Sequence, residues 1–115
     1  MRQPRMERDE EMRLARLARG GDRHATELLL KENLKYVVSI AYKLTRYRVA
    51  LEDLIAEGNL GLVEAVGKFD SERGVRFITY ACWWIRAYMF DFIIASRSMV
   101  GIKGSVKNGI FFRLA

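Results

Sequence analysis

The sequence is poor in the residues that staple or punctuate a chain: 115 residues contain one cysteine, one histidine and one proline. Cys82 alone excludes an internal disulfide. With His24 also alone, no cluster has metal-ligand spacing, so neither a metal nor a cofactor is expected. Apolar runs long enough to cross a bilayer, about 20 residues, are missing. Met1 to Glu11 is too charged for a secretory signal, so a reducing cytoplasm is the expected setting. No nucleophile–base pair or paired-carboxylate cleft stands out. The glycines from Gly101 to Gly109 lack the spacing, and the preceding strand, of a phosphate loop. An enzyme is therefore not expected.

What is present is apolar surface and positive charge. Half of the residues are hydrophobic, enough for one domain to bury a core without covalent help. The formal net charge is +6, which favours an anionic partner. It is unevenly spread: residues 1–30 carry +1, 31–50 carry +4, 51–70 carry −4 and 71–115 carry +5. An acidic segment between two basic ones suggests two surfaces for two partners.

Apolar periodicity predicts an all-α fold, a compact bundle of about four helices. A first helix is expected over Glu7 to Arg19, stopped by Gly20-Gly21-Asp22. Asp22 is placed to cap the second, which runs to about Arg46 with Leu30, Leu34, Val37, Ala41 and Leu44 recurring. A third spans about Leu51 to Gly67, and the turn Asp70 to Gly74 leads into a fourth ending near Ser96. Residues 1–98 form the expected domain. Residues 99–115 read as a linker and the opening turn of another helix that stops too soon to finish.

Two helical faces do not resemble core. On the third helix, Leu51, Leu54, Ile55, Gly58, Leu62, Ala65 and Val66 share one side. Asp53, Glu57 and Glu64 gather opposite, around Leu60 and Val63. That side reads either as a solvated surface or as a docking face, an apolar anchor ringed by carboxylates for a basic partner helix. Gly58 falls on the buried side, where close helix approach would explain it.

The fourth helix contains FITYACWWIRAYMFDF, Phe77 to Phe92, with seven of the thirteen aromatic residues. Phe77, Ile78, Ala81, Ile85, Tyr88 and Phe92 would fill a core stripe, with Trp84 at its edge. Thr79, Tyr80, Trp83, Arg86, Phe90 and Ile94 are left over. Either the helix is buried on every side or the extra rings stack on bases, with arginines nearby for phosphate. Stacking favours single strands, since a paired base cannot turn its face outward.

Several long motifs carry a resemblance. Asn33 to Val38 (NLKYVV), Glu52 to Leu62 (EDLIAEGNLGL), Ala65 to Asp70 (AVGKFD) and Arg73 to Arg86 (RGVRFITYACWWIR) are similar to the second domain of bacterial RNA polymerase sigma factors. The Phe111 to Leu114 tail resembles the heat-shock-like branch.

The resemblance implies a transcription initiation factor, in the cytoplasm with the nucleoid. Core RNA polymerase would be a partner, its largest subunit's clamp helices meeting Asp53, Ala56, Glu57, Asn59, Leu60 and Val63. Ala56 departs from the glutamine of many members. Promoter DNA, chiefly the non-template single strand of the minus-ten element, would be the other. Phe69, Asp70, Arg73, Tyr80 and Trp83 would form or border a pocket for a flipped adenine. Asn33, Lys35 and Thr79 would take a flipped thymine, and Trp83, Trp84 and Arg86 would meet the upstream edge of the bubble. Arg76 and Phe77, at the start of the aromatic helix, complete the DNA-binding set with Ala87 and Phe90. The last two stand where other members place a glutamine and a threonine, and neither can read a base edge. Val75 replaces an aromatic residue used in melting. An anti-sigma protein is a further candidate partner, and a pure interaction module, with protein rather than DNA over the rings, is the rival reading. A generic basic RNA binder is more distant.

Overall fold

The computed structural model describes residues 6–97. Four α-helices are arranged as an all-α bundle: α1 (Arg8–Arg19), α2 (Arg23–Leu44), α3 (Leu51–Lys68) and α4 (Phe77–Arg97). Short 3₁₀ turns at Thr45–Tyr47 and Ser71–Arg73 follow α2 and α3. The four expected helices are present, and the second helix tightens into its 3₁₀ turn at Thr45 rather than running to Arg46. The tail at Phe111 to Leu114 and the boundary at residue 98 lie outside the described residues.

Each helix begins and ends for a local reason. Asp22 accepts a hydrogen bond from the Ala25 amide at 2.9 Å, capping α2 as its side chain allows. Gly21 adopts a φ of 101° and lets the chain reverse between α1 and α2. At α4 the cap is tertiary. The Phe77 amide donates to Glu11 Oε2 at 2.8 Å, so a carboxylate on α1 supplies both a partner and a negative charge for the start of α4.

The core lies where α2, α3 and α4 meet, around Leu29, Val37, Leu54, Leu62, Phe77, Ile85 and Met89. Helices α3 and α4 approach closely because Gly58 and Gly61 present no side chain. A Cβ on Gly61 would lie 2.5 Å from the Trp84 carbonyl oxygen and 2.9 Å from the Ile85 Cα. One on Gly58 would meet the Met89 terminal methyl and the Val37 Cγ1, at 2.7 Å for the latter. Among the described residues no helix is long and apolar enough to cross a membrane.

Candidate nucleic-acid interface

The turn from α3 to α4 carries a cavity of about 140 Å³ lined by Lys68, Phe69, Asp70, Arg73, Val75 and Tyr80. Phe69 supplies its floor from the core, 3% exposed, packing edge-on to Phe77 and at a tilt to Tyr80 with centroids 5.5 Å apart. Asp70 turns its carboxylate back on the chain, accepting from the Glu72 amide at 3.0 Å. Gly74, at φ 83°, closes the turn. The cavity therefore has an aromatic wall, Lys68 and Arg73 in its lining and a carboxylate already ordered by the backbone.

Helix α1 holds this turn from behind. Arg8 donates to the Gly74 carbonyl at 2.7 Å, Arg19 to the Phe69 carbonyl at 3.2 Å, and Arg16 pairs with Glu72 at 3.2 Å. Arg76 lies between α1 and α4, donating to both Glu11 carboxylate oxygens at 3.1 Å and to the Met6 carbonyl at 2.7 Å. Hydrogen bonding to Glu11 raises the Arg76 pKa further above its already high value. Its guanidinium is committed within the fold.

Of the residues expected to touch DNA, the structure gathers Phe69, Asp70, Arg73 and Tyr80 around one cavity. Trp83 is outside its lining, a helical turn further on. Tyr80, Trp83, Trp84 and Phe90 are half-buried, and Thr79, Lys35 and Arg86 are exposed. Phe77 is placed in the core at 0% exposure, because the start of α4 turns inward onto Phe69. Ala87 is also buried, at 1%.

Asn33, Lys35 and Thr79 are not brought to a common cavity. Asn33 is 4% exposed and donates to the Leu29 carbonyl at 2.8 Å. It lines a crevice of only about 10 Å³, shared with Glu11, Tyr36 and Arg76, with Lys35 and Thr79 outside that lining.

Three residues of this neighbourhood escaped sequence reasoning. Glu11 is 6% exposed and inconspicuous in the charged N-terminal run. Arg19 was legible only as a helix terminus, and Lys68 only as the residue before Phe69. Cys82, half-buried on α4, has its thiol pKa pushed up by burial, with Arg86 opposing. A thiol held that way is a poor nucleophile at neutral pH.

The other face lies on α3. Leu60 and Val63 are 55% and 51% exposed, and Asp53 and Ala56 are exposed beside them, with Glu57 and Asn59 half-buried. Leu60 and Val63 also line an open groove of about 440 Å³ with Glu64, Gly67, Lys68 and Tyr88. Glu64 is engaged across that groove. It accepts from the Tyr88 hydroxyl at 2.9 Å and pairs with Lys68 at 3.0 Å. Burial first, then the bond to Glu64, pushes the Tyr88 hydroxyl pKa up to about 12.

A bundle with one acidic, apolar-centred helix and one aromatic helix beside a lined cavity defines a class, a small all-α module with two chemically distinct faces. Residues 29–98 match the family model described as Sigma-70 region 2, more than half of the chain. The chain belongs to that family. It is 46% identical over 88 residues to the RNA polymerase sigma-B factor of Myxococcus xanthus, covering 76% of this chain and 36% of that protein. Against the sigma-C factor of the same organism it is 40% identical over 113 residues, 97% of this chain and 38% of the relative. Against sigma factor RpoH of Rhizobium radiobacter it is 41% identical over 114 residues, 96% and 38%. The chain thus spans little more than a third of the length of these relatives.

Proposed function

We propose that this chain is the part of a transcription initiation factor that docks on core RNA polymerase through α3 and captures flipped non-template bases of the promoter minus-ten element beside α4. The observation that carries the reading is the cavity at residues 68–80, with Tyr80 as a wall, Arg73 and Lys68 at its edges and Asp70 ordered inside. A base extruded from a duplex loses its stack, and a partly exposed ring beside a base-sized recess replaces it at about 1–3 kcal/mol. The family and its relatives, all named as RNA polymerase sigma factors, support the same reading. So does the α3 face, where two exposed aliphatic residues sit among carboxylates suited to a basic helix. No bond is made or broken, since melting is offset by new stacks and pockets.

Binding of a single-stranded minus-ten oligonucleotide tests the proposal. Replacing Tyr80 and Trp83 together with alanine is expected to abolish that binding and leave association with polymerase intact. Loss of the polymerase complex along with an unmodified chain that binds no oligonucleotide at any salt would favour the interaction-module reading instead.

A further inference from the structure

Helix α2 turns an uncovered stripe of its own to the solvent. Leu34, Val38 and Tyr42 recur every four residues, so they share one face, and they are 41%, 43% and 70% exposed. Lys31, Lys35, Lys43 and Arg46 are exposed on the same helix and just beyond its end. Among the described residues Lys31, Lys43 and Arg46 are in no ion pair, and Lys35 reaches Glu32 only at 4.0 Å. The stripe therefore has an apolar centre and positive charge beside it.

This is the chemical inverse of α3, where Leu60 and Val63 stand exposed in the company of Asp53 and Glu57. Neither carboxylate is in an ion pair among the described residues. Residues 31–50 carry +4 and residues 51–70 carry −4. Within one molecule the two stripes cannot meet. Helices α2 and α3 already face each other through Val37 and Gly58, and each stripe lies on the side of its helix turned away from that contact.

We infer that the α2 stripe docks on the α3 face of a second copy of this chain. A phosphate backbone would satisfy the cations of α2 and leave its three apolar side chains wet. An acidic helix with aliphatic residues at its centre covers both, and α3 is such a helix. The two surfaces differ, so the contact runs head to tail. One helix on another buries less than about 1,200 Å², which makes the association transient and concentration-dependent. It covers the face proposed above for polymerase, so a second copy and polymerase would exclude each other there.

Sedimentation of the full chain over a range of concentrations tests the contact. The average mass is expected to rise with concentration and to fall back as salt is added. Lys31→Glu, Lys43→Glu and Arg46→Glu together reverse the α2 stripe, and Asp53→Lys with Glu57→Lys reverses the α3 face. Each variant by itself places like charges across the contact and should associate about tenfold more weakly or worse. An equimolar mixture of the two variants sets opposite charges across the contact again and should regain the association. Neither variant has a net negative charge, so overall attraction between the chains cannot produce that recovery. Thermal unfolding should show both variants folded. A chain that keeps the mass of one copy at its highest soluble concentration, or a mixture no more associated than its parts, would overturn the contact. So would an α2 variant that associates as the unmodified chain does. Loss of minus-ten oligonucleotide binding in the α2 variant, with the unmodified chain monomeric, would also overturn it and assign the cations to DNA. The sedimentation measurements use the chain alone, so the contact is judged separately from polymerase docking and base capture.

Discussion

Replacing Gly61 with alanine tests the contact on which the arrangement of both faces depends. Alanine is the better helix former by about 1 kcal/mol, so at an open helical position the change should stabilise. Here the new methyl would sit 2.5 Å from the Trp84 carbonyl oxygen and 2.8 Å from its carbon, against about 3.4 Å for the closest ordinary contact. The obstacle is the backbone of α4, which no rotamer change can move aside. The two helices must separate by most of an ångström. A radial gap of that size forfeits roughly a quarter to a half of the dispersion energy at each opened contact, and overpacking of this kind costs roughly 1–3 kcal/mol or more.

The expected net loss is therefore about 1–2 kcal/mol after the gain in propensity, read by urea unfolding as a lower midpoint with unchanged slope. Two other glycines of α3 act as controls. A Cβ on Gly67 meets nothing within 4 Å, so Gly67→Ala should stabilise by several tenths of a kcal/mol up to about 1. On Gly58 the nearest atom is the movable end of Met89, with Val37 at 2.7 Å, so its alanine variant should fall between the two. The predicted order of stability is Gly67→Ala, Gly58→Ala, Gly61→Ala. A Gly61→Ala protein as stable as the parent would show that α3 and α4 are not held at this separation.

Removing Glu11 by alanine leaves the Phe77 amide and the Arg76 guanidinium without their carboxylate; unfolding should report a loss of roughly 2–3 kcal/mol. The Tyr88 hydroxyl should ionise late in an alkaline titration. Because its pKa is raised, from 10.0 to about 12, its bond contributes fully below pH 10 and is lost as pH rises from 10 toward 12. Spectrophotometric titration should show this late step shifting to lower pH in Glu64→Gln, and an unshifted midpoint would exclude Glu64 as a cause. Reversing Asp53 and Glu57 to lysine should eliminate co-purification with polymerase while thermal unfolding stays cooperative; retained co-purification would move the docking face elsewhere.

The legibility of this protein followed the range of the interactions involved. Helix α2 begins where Asp22 can reach the Ala25 amide, three residues away, and such a signal is written locally. The exposed positions of Leu60 and Val63 follow from the 100° step of a helix, with no knowledge of what lies opposite. The same periodicity left Thr79, Tyr80, Trp83 and Phe90 outside the core stripe of α4. It failed at Met89, which falls beside Ile78 and Ile85 on the wheel although the stripe omits it, and at Ala87, which is buried on another side of the helix.

Local pattern by itself determined four helices, their approximate ends, an acidic face and a surplus of rings, since each depends on residues within a turn or two of one another. Tertiary structure decided which of those residues are available to a partner. Glu11 caps a helix that starts 66 residues later, Arg19 holds a carbonyl 50 residues away, and Phe77 is drawn inward onto Phe69. Spacing cannot encode such contacts, because they form only once the helices have packed at distances set by Gly58 and Gly61. At that point an arginine or an aromatic ring that looked free in the chain is either committed to a neighbour or left facing the solvent.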